Sequence, residues 1–281
     1  MTKEEQLGWE ARWGQAAGIA AIAAALLFLV SGFIFQPENR DGIEAYPDAL
    51  LSIDEEPGAY AAYVALPAIG ALLVGPVFLY LFRAAQARGA GMPRWFLYLV
   101  VGAPVLYAVS QVLFALELRD VADEFASGGT IRGEAGDDRA QDLQDYSPVI
   151  EGLRSAGVVG LAFLYVMVPL RARRVGLLTP FMSILGVIVG ILTVFATLGI
   201  APVVQGFWLG ALGMLLMGNW PGGRGPAWES GEAQPWPSAA QRKGLAPMPG
   251  EEPQLDPDSP PPEPEPVPER PASRKRRRKR R

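Results

Sequence analysis

Charged side chains inside apolar stretches are the residues of this chain best placed to do chemistry. Glu151 and Arg154 lie near the start of one such stretch, and their i, i+3 spacing puts them on one face of a helix. An ionisable residue in an apolar span is a candidate for substrate or ion contact, with Ser110 and Gln111 as possible partners. We favour the alternative, a pair that satisfies itself or side chains that reach the nearby water boundary; a packing contact is the third possibility.

Histidine and cysteine are absent from the 281 residues. The chain therefore lacks the commonest acid–base group at neutral pH, the commonest zinc ligand and the usual partners of a nucleophile. The apolar stretches contain no paired aspartates that could serve an aspartyl protease. We predict that the protein is not an enzyme and holds no metal or cofactor.

The segment 117–148 is strongly acidic, with nine acids and three bases. A calcium site needs six to eight oxygens at ordered spacing around a glycine-assisted turn. The run GEAGDDRA does not match that pattern, so we favour a solvated acidic loop. The carboxylates in question are Asp120, Asp123, Glu124, Asp137, Asp138, Asp142 and Asp145.

Six apolar stretches must position these groups. Each has about the 20 residues that a helix needs to cross a hydrocarbon core of ~30 Å. Half of all residues are hydrophobic, and they are crowded into these blocks instead of being spread through shorter amphipathic elements. We predict an all-α membrane protein with six transmembrane helices in a domain over 14–218. The predicted spans are about 14–35, 60–82, 95–116, 149–170, 177–198 and 200–218.

The connections between these spans alternate in charge. The segment 36–59 has seven acids and one base, whereas 83–94 has three arginines and no acid. Since Lys and Arg concentrate on the cytoplasmic side, both termini are predicted to be cytoplasmic and 36–59 and 117–148 external. Residues 1–13 then form a cytoplasmic N-terminus of a multi-pass protein of the inner (plasma) membrane. They do not resemble a signal peptide, because they are charge-balanced to acidic.

Two further patterns predict helix behaviour. Leu118, Val121, Ala122 and Phe125 follow the spacing i, i+3, i+4, i+7, which predicts that span three continues outside the bilayer as an amphipathic helix. Spans five and six each contain a G-x-x-x-G motif, which lets helix backbones approach closely. We predict that these two glycine faces pack against each other within one hairpin, the alternative being a homodimer face. The glycines are Gly186, Gly190, Gly206 and Gly210.

Residues 219–281 are rich in proline and poor in apolar residues, which predicts a disordered cytoplasmic tail. Trp228 and Trp236 lie in its first part and could dock back onto the membrane domain or lie in the interface. The block 251–269 carries seven acids and no base. The tail ends in eight consecutive bases, Arg274, Lys275, Arg276, Arg277, Arg278, Lys279, Arg280 and Arg281.

The terminal basic run has three possible partners. Bases near an anionic leaflet bind lipid headgroups electrostatically, and the acidic block before the run could instead fold back and neutralise it. Nucleic acid is the least favoured, because no aromatic or folded reader accompanies the bases.

The segment GGRGPAWESGEAQPWPS, Gly222 to Ser238, directly follows the last span. This segment and the six-helix layout resemble uncharacterised multi-pass integral membrane proteins of actinobacteria. The resemblance implies no activity and no site residues. We predict a structural or interaction protein whose tail contacts anionic lipid or a partner. The alternative is a transporter of small solutes or ions that uses the proline-kinked spans two and three.

Overall fold

The computed structural model describes residues 2–35, 46–129, 133–144, 146–195, 200–221 and 223–237. All regular structure within these ranges is helical. The helices are α1 (Lys3–Ile34), α2 (Tyr46–Glu55), α3 (Pro57–Ala87), α4 (Phe96–Ser127), α5 (Glu134–Asp142), α6 (Pro148–Arg174), α7 (Pro180–Val194), α8 (Ala201–Leu216) and α9 (Pro226–Ser230).

Four of these helices, α1, α3, α4 and α6, are long and apolar enough to cross a membrane. They have 27 to 32 residues, so each exceeds the roughly 20 residues that a crossing requires. They coincide with the first four predicted spans, and the all-helical, membrane-type fold is confirmed at this level. The placement of the termini on the cytoplasmic side stays a prediction.

The last two predicted spans correspond to shorter apolar helices. α7 has 15 residues and α8 has 16, which gives lengths of about 22–24 Å at 1.5 Å per residue. That is less than the ~30 Å of a hydrocarbon core. Residues 196–199, where span five was predicted to end, lie outside the described residues, so six complete spans stay a prediction.

The six apolar helices contact one another in chain order around a closed ring, in which α8 returns to α1 and α3 also touches α6. Neighbours run antiparallel: Phe28 of α1 meets Gly70 of α3, and Phe82 of α3 stacks on Phe96 of α4. The ring closes over buried aromatic and aliphatic side chains, including Phe78, Tyr165 and Trp208. The start of α1 and the end of α8 therefore lie at the same end of the bundle, here called the proximal end. The opposite end is called distal.

The glycine faces of α7 and α8 pack against other helices than predicted. A Cβ at Gly190 would lie 2.7 Å from the Ala162 carbonyl oxygen of α6, and one at Gly206 would lie 2.6 Å from Leu29 of α1. The predicted mutual packing of the two faces is therefore wrong. The motifs do define close helix contacts within one chain, but the partners are α6 and α1. Gly210 has open space on its Cβ side.

The predicted continuation of span three is confirmed, since α4 extends without a break to Ser127. Ala122 and Phe125 are fully buried there, and they belong to a second small core with Leu50 of α2. At the edge of this core the hydroxyl groups of Tyr46 and Tyr146 form a hydrogen bond. Burial and the Tyr146 hydroxyl raise the pKa of Tyr46 above its ordinary value, because both disfavour a phenolate.

Candidate functional site

A buried ion pair lies at the proximal end of the bundle. Arg88, the C-cap residue that follows α3, donates from Nη1 to Oε1 of Glu10 at 2.5 Å and from Nη2 to Oε2 at 2.9 Å. The two side chains are 0% and 3% exposed. Two parallel bonds of this kind are the strong, geometrically specific form of an Arg–carboxylate pair.

The remaining hydrogen-bonding capacity around the pair is used. Gln6 donates to Oε1 of Glu10 at 2.7 Å from one turn earlier in α1, and Arg88 also donates to the Ala84 carbonyl at 2.9 Å. The hydroxyl of Tyr80 donates to the Glu10 carbonyl at 3.1 Å. A buried pair needs such additional bonds, because the attraction of the two charges alone does not offset the loss of their hydration.

The chain after α8 docks on this pair. Arg88 Nε donates to the Ala227 carbonyl at 3.0 Å, and the indole N–H of Trp228 donates to the Leu177 carbonyl at 3.0 Å. Trp228 is 5% exposed and stacks on Tyr80 with centroids 5.9 Å apart. The guanidinium of Arg224 lies 5.5 Å from the Trp228 ring centroid, which is within the range of a cation–π contact.

The prediction of disorder over 219–281 is therefore wrong for its first part. Pro226–Ser230 is a short helix with proline in its first turn, and Gly231 ends it in the left-handed conformation at φ 70°. Trp236 covers the same segment, since a Cβ at Gly225 would lie 2.5 Å from its ring. Of the two predicted positions for Trp228, docking onto the membrane domain is the one found. The acidic block and Arg274–Arg281 lie outside the described residues.

The beginning of α1 adds a surface contact to this docking. Thr2 and Glu5 form a reciprocal capping box that starts the helix. The ammonium of Lys3 lies 2.8 Å from Oε1 of Glu232, and this hydrogen bond and charge lower the pKa of Glu232. Because the pKa of Glu232 is lowered, the contact is fully formed at a pH above the ordinary pKa of a glutamate. It is lost as the pH falls through the lowered pKa.

A groove of about 660 Å³ opens beside Lys3 at this end. Arg83 lines it and lies 5.8 Å from the centroid of the Trp9 ring, which also faces the groove. The other lining residues are Thr2, Gln6, Gln86, Ala87, Gly231 and Glu232. Glu10 and Arg88 do not line this groove; they bond to each other, and Arg88 binds the chain's own segment at Ala227.

The residues predicted from sequence to form a polar site in span four lie near the distal end. Glu151 and Arg154 are both exposed, and no ion pair joins them in the described part of the chain. Arg154 instead lies over the Phe114 ring of α4, 4.1 Å from its centroid. Ser110 is buried and donates to the Tyr107 carbonyl at 2.9 Å. The predicted self-satisfied pair is therefore not formed in this structure.

In the described part of the acidic segment, Arg139 bonds to backbone carbonyl groups at the end of α4. Arg139 of α5 donates to the Gly128 carbonyl and to the Glu124 carbonyl, both at 2.8 Å. Among the described residues no three acidic, His or Cys side chains are grouped to hold a metal ion. One of the seven candidate carboxylates, Asp145, lies outside the described residues.

The key residues of the proximal site were missed by sequence reasoning. Glu10 and Arg88 lie 78 residues apart and flank apolar spans, where charged residues ordinarily face water. The tryptophans spaced by eight after the last span gave the only indication of a docked segment. No family model, curated protein or solved structure matches this chain.

Proposed function

We propose that this membrane protein is a structural or interaction protein of the bacterial inner membrane, whose cytoplasmic tail binds anionic lipid. The observation that carries the proposal is the docking of residues 224–237. Hydrogen bonds from Arg88 to Ala227 and from Trp228 to Leu177 attach this segment to the helix ends. Residues 224–237 are therefore held at the end of the bundle, which suits a chain that recruits or attaches.

The charge of the tail supports lipid as the partner. Each base near an anionic leaflet contributes ~1 kcal/mol, so eight give a ceiling of ~8 kcal/mol. The seven acids of 251–269 compete for the same bases. Lipid prevails on an anionic membrane, because its many phosphates provide a higher local charge density than seven carboxylates.

The test uses the full chain in nanodiscs of neutral phosphatidylcholine, mixed with separate vesicles that contain phosphatidylglycerol. We expect the vesicles to capture the nanodiscs at low salt and release them as salt rises, because exposed charges are screened within about 10 Å at 0.1 M. Replacing the eight terminal bases with Gln should abolish capture. Replacing Glu263, Glu265 and Glu269 with Gln should strengthen it by removing the competitor.

Two results would contradict the lipid proposal. One is equal capture by vesicles of phosphatidylcholine alone. The other is capture that persists without the eight bases. If capture needs the bases but does not change when Glu263, Glu265 and Glu269 are replaced with Gln, the acidic block does not compete with lipid.

The runner-up is a transporter of small solutes or ions that uses the proline-kinked helices. Pro67 and Pro76 lie inside α3 and Pro104 inside α4. The surroundings of Pro76 favour the first proposal, because its neighbours Val74, Val77 and Phe78 are fully buried in apolar packing. Uptake of labelled amino acids or ions into proteoliposomes that Arg154→Gln abolishes would favour transport instead.

The docked segment is also the part of the chain that carries the resemblance to actinobacterial multi-pass proteins. That resemblance rests on Gly222–Ser238, and the docking contacts at Ala227 and Trp228 fall within it. Membership of that group, the absence of a catalytic role and the bacterial inner membrane as location are parts of this proposal.

A further inference from the structure

The groove beside Lys3, here called the proximal groove, is built by three separate parts of the chain. The first turns of α1 supply Lys3 and Trp9, the end of α3 supplies Arg83, and Gly231 and Glu232 follow α9. The volume of about 660 Å³ lies within the range of small-molecule sites in proteins. The lining residues therefore surround one common space that is large enough for a lipid headgroup.

Aromatic stacking holds one wall of the proximal groove in place. The Trp9 ring stacks on Tyr80 with centroids 5.3 Å apart, and Tyr80 stacks in turn on the buried Trp228. The guanidinium of Arg83 lies 5.8 Å from the Trp9 centroid, where the ring attracts a cation. Arg83 is therefore placed by a wall that is already formed, so a ligand there has little ordering to impose.

Arg83 gives the proximal groove a positive charge that is not neutralised within the described residues. It makes no hydrogen bond or ion pair there, although a guanidinium has five N–H donors. Lys3 and Glu232 also line the groove, but their charged atoms lie 2.8 Å apart and offset each other. The lining thus has two bases and one acid, which gives a net charge of +1.

The proximal groove lies where the exposed apolar surface of the bundle ends. On α3, Leu72, Pro76 and Arg83 are exposed, and their spacing of four and seven places them on one helix face. On α1, Trp13 is 55% exposed one turn after Trp9. Tryptophan is enriched at the membrane–water interface, and a long basic side chain there extends towards the headgroups. The groove is therefore placed to meet lipid headgroups.

We propose that the proximal groove binds the phosphodiester of an anionic phospholipid such as phosphatidylglycerol, with Arg83 on the phosphate oxygens. The donor fork of arginine matches phosphate oxygens, and Lys3 adds the N–H donors that Glu232 does not use. A phosphodiester has one negative charge, which equals the net charge of the groove. Phosphatidylcholine has the same phosphodiester but would bring a quaternary ammonium into a groove that is already positive.

This site does not depend on the terminal bases of the tail, because the charge that carries it belongs to Arg83. Lipid binding at the groove can therefore be measured in a full-length chain whose eight terminal bases are replaced with Gln. Loss of lipid binding by the tail and loss of lipid binding by the groove are then separate results.

Thiol protection reports directly whether the groove is occupied. Ala87 is exposed and lines the groove, and the chain has no cysteine, so Ala87→Cys places a single thiol there. The full-length variant in detergent micelles receives phosphatidylglycerol or phosphatidylcholine of identical acyl chains, followed by a water-soluble maleimide. We expect phosphatidylglycerol to slow the modification about fivefold more than phosphatidylcholine, which is the effect of one base on an anionic lipid.

The control for this measurement is Gly8→Cys. Gly8 is exposed on α1, does not line the groove and has open space on its Cβ side. Its thiol experiences the same micelle charge, so its modification rate should be equal with the two lipids.

Variants in the Ala87→Cys chain assign the effect to Arg83. Arg83→Gln should abolish the difference between the two lipids. Arg94→Gln is the matched control, because Arg94 is also exposed at the proximal end but does not line the groove, and it should keep the difference. Replacing the eight terminal bases with Gln should keep it as well. Circular dichroism identifies a variant that fails to fold, and the comparison with Gly8→Cys then still decides.

Three results would overturn the proposal. They are equal protection by the two lipids, a preference that survives Arg83→Gln, and a preference that disappears with the eight terminal bases. The last result would assign the protection to the tail. A further arm identifies the source of the phosphodiester: if glycerophosphoglycerol, the headgroup without acyl chains, protects the thiol as well as the lipid does, the ligand is a soluble compound.

Discussion

A buried carboxylate such as Glu10 is tolerated only while a positive partner stays in place. Arg88 supplies that charge and also donates to the carbonyls of Ala84 and Ala227. Arg88→Met keeps much of the apolar volume but leaves Glu10 buried without compensation. We expect a loss of about 3–5 kcal/mol in the free energy of unfolding, measured as a lower thermal midpoint in detergent.

The double variant Glu10→Leu with Arg88→Met distinguishes the cost of an unpaired buried charge from the cost of altered packing. Because it leaves no unpaired charge, it should recover most of the stability lost in the single variant. Limited proteolysis gives an independent measure, since Arg88→Met should make the chain around Arg224 accessible to trypsin. A single variant as stable as the unaltered chain would contradict the importance of the pair.

Sequence patterns predicted which helices form better than they predicted which helices pack against each other. The apolar lengths predicted the four long helices, and the period of Leu118, Val121, Ala122 and Phe125 predicted the extension of α4 correctly. The glycine motifs identified faces of close approach, but the identity of the facing helix depends on the ring order of the whole bundle. Likewise Glu10 and Arg88 became a site only because antiparallel packing of α1 and α3 brings residues 78 positions apart together.

The glycine contacts can be tested by replacing a glycine with a larger side chain. Gly206→Leu should destabilise the protein strongly, because even a Cβ there lies 2.6 Å from Leu29 and a larger side chain forces α1 and α8 apart. Gly210→Ala is the matched control on the same helix, since nothing lies within 4 Å of its Cβ position. The thermal midpoint should fall for the first variant and change little for the second.

The absence of cysteine from the chain permits a direct check of which helices pair. Leu29→Cys with Gly206→Cys should form a disulfide within one chain on mild oxidation. A Cβ at Gly206 would lie 2.6 Å from the Leu29 side chain, and a disulfide needs Cβ atoms about 3.5–4.5 Å apart. The pair Gly190→Cys with Leu209→Cys should not. If denaturing gels instead show a disulfide for the second pair and none for the first, α7 and α8 pack through their glycine faces after all.

For the molecule as a whole, the open question is which end of the bundle faces the cytoplasm. Antiparallel helices in a closed ring place Lys3 and the docked α9 at one end, with Lys3 and Glu232 2.8 Å apart. That geometry makes the N-terminus and residues 224–237 share a side of the membrane, and the arginines of 171–174 at this end favour the cytoplasm. An alkaline phosphatase fusion, which is active only outside, should therefore be inactive after residue 173 and active after residue 130. Activity at 173, or none at 130, would reverse the orientation and place the basic tail outside, where it would not meet the anionic cytoplasmic leaflet.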